Sequence, residues 1–171
     1  MNIGAHRLWA SCAGRGSPTV VFEGGAGSTF EVWKTVQAQL APSYRVCSYD
    51  RAGLGRSDRI ASPETAGSAA GQAPDLDASD REIEAAPAFP NIPLIVLAHG
   101  KPVLPGGSPN DPWEKAWRSM QVELAGLSPQ VRLEVAERSD HSIPTQEPHL
   151  VVGAVADLTR DRHQVRKSLP V

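Results

Sequence analysis

Three short stretches of this chain hold groups that could do chemistry. The first is Ser139-Asp140-His141. A neutral imidazole in such a turn can take a proton from a hydroxyl or from water and later return it. The second is Gly24-Gly25-Ala26-Gly27-Ser28. Glycines allow a tight turn with backbone N–H groups turned outward, so Gly25 and Ala26 are candidate donors to a developing oxyanion. Ser28 closes that turn and is a candidate nucleophile. Its competing role is the opening of a helix, because Ser28 and Glu31 have capping-box spacing. The third stretch is His99-Gly100 and the Pro/Gly-rich residues up to Asn110. His99 is a candidate second base, against the simpler reading of a satisfied loop histidine. Ser57 and Ser108 are weaker nucleophile candidates. Asp140 adjoins His141, but neighbouring side chains rarely converge well enough to form an acid–base pair. No group of His, Cys, Asp and Glu has metal-ligand spacing, and no cofactor is expected.

The elements that must position these groups can be read from apolar patterning. Residues 6–10 suit a short first strand, with 13–18 as the turn after it. Residues 19–23 form a β-branched run of strand length. The helix that follows carries Phe30, Trp33, Val36 and Leu40 on one face, and Pro42 ends it. Residues 44–49 are the next strand, giving a strand–helix–strand crossover and therefore a parallel pair. From 60 to 89 Ala, Gly, Ser, Pro and Asp dominate. Ser62-Pro63-Glu64 and Ser79 with Glu82 could open brief helices there, and 66–75 reads as a mobile loop. Order returns with 94–98, a continuous apolar run of the buried parallel kind. Asp111 then Pro112 opens a helix whose stripe of Trp113, Trp117, Met120, Leu124 and Leu127 predicts core packing. Residues 131–136 are the last strand. Pro148 opens a last helix, with Leu150, Val151, Ala154, Val155 and Leu158 facing inward, and the tail from Arg160 is expected to fray.

Composition narrows the function classes. The chain has 171 residues, 40% hydrophobic and 21% charged, which suits one ordinary globular domain with a core. A formal charge of −2 leaves no basic footprint for nucleic acid. No apolar stretch has the length of a membrane span, and the first ten residues lack the apolar core of a signal peptide. Cys12 and Cys47 read as two buried thiols, which fits a cytoplasmic home.

Two motifs together resemble the α/β-hydrolase superfamily. One is the strand ending in Gly24-Gly25-Ala26-Gly27-Ser28. The other is Asp50-Arg51-Ala52-Gly53-Leu54-Gly55-Arg56-Ser57-Asp58 after the next strand. The second half is similar too, with Ser139-Asp140-His141 and Gln146-Glu147-Pro148 between a last strand and a closing helix. The resemblance implies an α/β fold, a mostly parallel sheet of about five strands with helices on both faces. It implies part of an oxyanion hole at the glycine turn and a catalytic histidine at His141. It also places Asp111 beyond the strand where many members hold the acid of the triad, against its role as an N-cap before Pro112.

The middle of the chain departs from that pattern. The superfamily's nucleophile lies in Gly-x-Ser-x-Gly, a strained strand-to-helix elbow, and this motif is absent. The chain therefore reads as a single reduced domain over 1–171 that lacks the elbow and cap, with 60–89 as a loop-rich junction. Its strands 19–23 and 94–98 would either pair directly or leave apolar edges for a second chain, so a homodimer is expected. The function expected is hydrolysis of small esters or lactones by His141 with a noncanonical serine or water. The alternative is a binding protein that keeps the fold without catalysis, and a nonfunctional truncated product is the third reading.

Overall fold

A computed structural model describes residues 2–3, 6–25, 27–59, 81, 85–87 and 89–167, with the side chains of 2, 3, 6 and 161–167 left aside. The chain divides into two compact units, Met1–Pro87 and Ala88–Val171. The division falls at the end of the Pro- and Ala-rich stretch 60–89. Most of that stretch, including both brief helices and the loop expected there, lies outside the described residues.

The first unit begins with a two-residue ladder, β1 (Asn2–Ile3) antiparallel to β2 (His6–Arg7). Then come β3 (Ala10–Ala13), β4 (Thr19–Phe22), a 3-10 helix (Phe30–Trp33), α1 (Lys34–Leu40) and β5 (Arg45–Tyr49). The sheet order is β3-β5-β4, with β5 parallel to β4 and antiparallel to β3. The helical segment buries Phe30, Val36 and Leu40 as the 3.6-residue pattern requires, and Val46 lies fully buried on β5. Phe22 stacks on Trp33 with ring centroids 4.6 Å apart. Gln37 is buried too, because its amide bonds the carbonyls of Ser11 and Val46 and accepts from Ser48 Oγ. One amide thus fastens α1 to both β3 and β5.

The second unit holds β6 (Leu94–His99), α2 (Pro112–Ala125), β7 (Val131–Ala136), α3 (Ile143–Gln146) and α4 (Pro148–Lys167). β6 and β7 run parallel, in register from Leu94 opposite Val131 to His99 opposite Ala136. Both α2 and α4 pack against β6. Val96, Ala98, Ala136, Ile143, Val151 and Ala154 form the core.

Five expectations are corrected. The five main strands occur, but as a sheet of three and a sheet of two. The first strand after the β1–β2 ladder is Ala10–Ala13, so Ala13 is strand and not turn. Cys12 and Cys47 are not free thiols; they form a disulfide of 2.05 Å, because antiparallel pairing sets them directly opposite each other on β3 and β5. The thiol argument for a cytoplasmic home falls with that. The stripe on α2 is not core: Trp113, Met120, Leu124 and Leu127 are exposed. The buried face is instead Glu114 and Ala125, with Trp117 and Gln121 half-buried between them. The tail does not fray at Arg160, since the backbone of α4 stays helical to Lys167. No described helix is long and apolar enough to cross a membrane.

Candidate functional site

Chemistry-bearing residues gather at the C-terminal ends of parallel strands, as they do in open α/β sheets generally. Each unit has such a corner.

In the first unit the corner follows β5. Asp50 is buried, and its carboxylate accepts the backbone N–H groups of Phe30 at 2.7 Å and Arg56 at 3.0 Å. Phe30 opens the 3-10 helix, so an anion from a distant strand end caps that helix. Gly55 has φ +51°, and a Cβ there would overlap the Asp50 carboxylate, so the motif's second glycine makes room for the clamp. Ser57 is consumed in the same corner: its Oγ accepts from Trp9 N at 2.8 Å and donates to the Asp50 carbonyl at 2.5 Å. That removes Ser57 as a nucleophile. Arg51 donates from Nη2 to the Gly25 carbonyl at 2.8 Å, joining this corner to the glycine turn.

The glycine turn itself is closed by a Ser28 N–H to Gly25 carbonyl bond of 3.1 Å, with Gly27 at φ +71°. A Cβ on Gly25 would meet nothing within 4 Å, so open space lies beside it. Ala26 lies outside the described residues. The capping box is corrected. Thr29, not Ser28, stands at the N-cap position, without a side-chain cap bond, and Glu31 pairs with Lys34 Nζ at 2.8 Å. Lys34 holds the Glu31 carboxyl below its ordinary range.

In the second unit the corner follows β7. Ser139 N–H donates to the Ala136 carbonyl, and the Ser139 carbonyl accepts from Gly100 and Lys101 at the end of β6. Ser139 is fully buried and gives its hydroxyl proton to Glu147 Oε2 at 2.7 Å. The same oxygen accepts Arg138 N–H at 2.9 Å, and Arg138 Nε lies 3.2 Å from Oε1. The Ser139 hydroxyl, ahead of the Arg138 N–H, holds Glu147 below the usual glutamate range. Asp140 is locked sideways. Its N–H donates to Gln146 Oε1, while its two oxygens accept from Ser142 N and Gln146 Nε2, each at 2.8 Å. The Gln146 amide is the main reason its carboxyl also sits low. His141 stands exposed between these anchored neighbours. Among the described residues no hydrogen bond joins Asp140 to the His141 ring; its carboxylate instead bonds Ser142 and Gln146.

Asp111 occupies the N-cap position of α2, yet its carboxylate does not cap the helix; Oδ2 accepts Ser108 N–H at 2.8 Å. Among the described residues no hydrogen bond joins Asp111 to His141, so the expected acid is not brought onto the base. Ser108 Oγ accepts Asn110 N–H at 3.1 Å. His141 and Asp111 lie in one unit; Gly25 and Ser28 lie in the other.

His99 is a residue whose partner the sequence hid. It is buried, with Nε2 at 3.0 Å from Glu114 Oε2 and its ring stacked on Trp117 at 3.6 Å. Glu114 Oε1 accepts Val103 N–H at 2.9 Å, and that bond first, then His99, keeps the carboxyl low. Among the described residues His99 Nδ1 has no partner. A groove of about 340 Å³ lies between α2 and β7, lined by His99, Gly100, Arg118, Val122, Leu133 and Val135 among others. Among the described residues no three His, Cys, Asp or Glu side chains converge to hold a metal.

Parallel strand pairs crossed by helices define an α/β chain. No family model matches the chain. It is 42% identical over 62 residues to a probable transporter of Hormonema carpetanum, covering 34% of this chain and 9% of that protein. It is 48% identical over 54 residues to an AB hydrolase superfamily protein of Gibberella zeae, covering 31% and 17%. The chain thus spans less than a fifth of the length of these relatives. Among solved structures it is similar to the enol-lactonase of Burkholderia xenovorans LB400, with TM-score 0.56 and 12% identity over 92% of this chain and 98% of that one. It is also similar to a thermophilic esterase of Thermogutta terrifontis, with TM-score 0.55 and 14% identity over 91% and 94%. These likenesses are of fold, and the chain has the α/β-hydrolase fold.

Proposed function

We propose that the chain hydrolyses small esters or lactones, with His141 as the general base and water as the attacking group. The observation that carries this is the β7 corner. Glu147 holds Ser139, Gln146 holds Asp140, and Asp140 in turn accepts the Ser142 N–H, so both sides of His141 are anchored while its imidazole stays exposed. An imidazole in that position takes a proton from water as the hydroxide adds to the carbonyl carbon, then gives a proton to the leaving alkoxide. Water is favoured over a serine because Ser57 and Ser139 spend their hydroxyls in the fold and no elbow motif exists. The fold's likeness to an esterase and an enol-lactonase supports this choice of substrate class.

The test is turnover of a short-chain nitrophenyl ester, with a serine-directed phosphonate added in parallel and the labelled peptides mapped. Turnover with no labelled serine is the expected result. A label on Ser28 would replace water by Ser28 as the nucleophile. Absence of turnover would overturn the hydrolase reading in favour of a binding protein on the same fold. A homodimer belongs to the same proposal. β4 and β6 each pair along one edge only among the described residues, which leaves edges for a second copy. Light scattering that reports a monomer at every practical concentration would overturn the dimer.

A further inference from the structure

We propose that Cys12–Cys47 is a thiol–disulfide exchange site whose state controls how firmly the Asp50 corner and the glycine turn are held. Cys12 is exposed on β3, an edge strand, so a small thiol can reach it from solvent. The pair sits near the end of a short ladder. From Cys12 opposite Cys47 the register runs to Ala10 opposite Tyr49, and the next bond is Asp50 N–H to the Trp9 carbonyl at 3.0 Å. Trp9 N–H is in turn held by Ser57 Oγ, and its ring packs on Phe30 at 4.3 Å with the Arg56 guanidinium 4.7 Å above it. Asp50 caps Phe30, and its neighbour Arg51 holds Gly25. The covalent tie therefore lies three residues from Trp9 and three from Asp50, the two ends that pin the corner.

The exchange is balanced by a dithiol of low molecular weight. Its thiolate bonds Cys12 Sγ, the Cys12–Cys47 bond breaks, and Cys47 leaves as a thiolate that takes a proton. The second thiol of the reagent then attacks the mixed disulfide, releasing Cys12 as a thiol and the reagent as a cyclic disulfide. Two electrons pass to the protein, and the two thiol protons of the reagent end on the two cysteines. The reduced form does not lose the strand. Ladder bonds and the Gln37 amide to Ser11 and Val46 still hold β3, which keeps the thiols opposite each other for reoxidation. Any bearing on hydrolysis rests on the function proposed above; the site itself does not.

The test uses the whole chain in native buffer, with dithiothreitol as the reductant and oxidised glutathione as the oxidant. Maleimide mass tagging and amide hydrogen exchange are the readouts, and neither depends on catalysis. The expected result is two tags after mild reduction with unchanged far-UV circular dichroism. Exchange should rise on the order of tenfold at residues 9–13, 28–31 and 50–57, and fall back on reoxidation. The double variant Cys12→Ser/Cys47→Ser should show the fast exchange without reductant and no response to it. Tagging that requires denaturant would overturn the proposal. So would global loss of circular dichroism on reduction, or exchange at 50–57 that ignores the redox state.

Discussion

The two units solve the same local problem with opposite remainders. Each must hold an irregular loop at the C-terminal end of a parallel strand, and each does so with one buried carboxylate, Asp50 in the first and Glu147 in the second. In the first, the carboxylate and the Ser57 hydroxyl are spent on backbone groups of Phe30, Arg56 and Trp9. In the second, Glu147 takes the Arg138 N–H and the Ser139 hydroxyl, and His141 is left over at the surface. A polar side chain that the fold has consumed is unavailable for chemistry, because removing it from its partners costs the fold. One that the fold presents but does not use is where activity is to be sought. That difference separates Ser57 from His141, although both sit in motifs that pointed to function.

Variants can break this comparison. The largest expected effect on stability is from Asp50→Ala, which strands two backbone N–H groups in the first unit. It should lower unfolding free energy by about 3 kcal/mol, read by urea denaturation. A loss well under 1 kcal/mol would mean the corner is not what holds the glycine turn. Ser57→Ala should cost less, about 2 kcal/mol, since it leaves Trp9 N–H and the Asp50 carbonyl to find water. It should leave the ester hydrolysis rate per folded molecule unchanged, and a collapse in that rate would restore Ser57 as a nucleophile.

The smallest effect is one of pH. Glu147 and Glu114 are both held below the ordinary glutamate range, so the folded state binds their protons less readily than the unfolded chain does. Their contribution is complete above the unfolded value, near pH 4.3, and is lost as pH falls through the lowered folded value. The melting temperature of the second unit should therefore fall as pH drops below about 4. Glu147→Gln should flatten that slope while lowering the melting temperature at neutral pH. An unchanged slope in Glu147→Gln would assign the acid sensitivity elsewhere.

Much of the fold was legible from patterning alone. β4, β5 and β6 follow from apolar runs, and the inward face of α4 from its 3.6-residue period. The misses share one physical cause, contact between residues far apart in sequence. The capping box at Ser28 was locally sound, but Asp50, twenty residues away, supplies the cap. The stripe on α2 assumed that a glutamate faces water; Glu114 is buried because His99 and Val103 N–H satisfy it. The disulfide needs the β3–β5 register, which no spacing of two cysteines encodes. His141 was legible because its turn follows a clear strand. Its anchoring by Gln146 and Glu147 was not, since that depends on how the chain folds back before α4.

The central proposal is that His141 is the general base for ester hydrolysis. Its most direct test is the initial rate of hydrolysis of a short-chain nitrophenyl ester by the wild type and by His141→Ala, at equal folded concentration. The account predicts a fall of at least about a hundredfold, the low end for general acid–base catalysis. A variant that keeps the wild-type rate would contradict it.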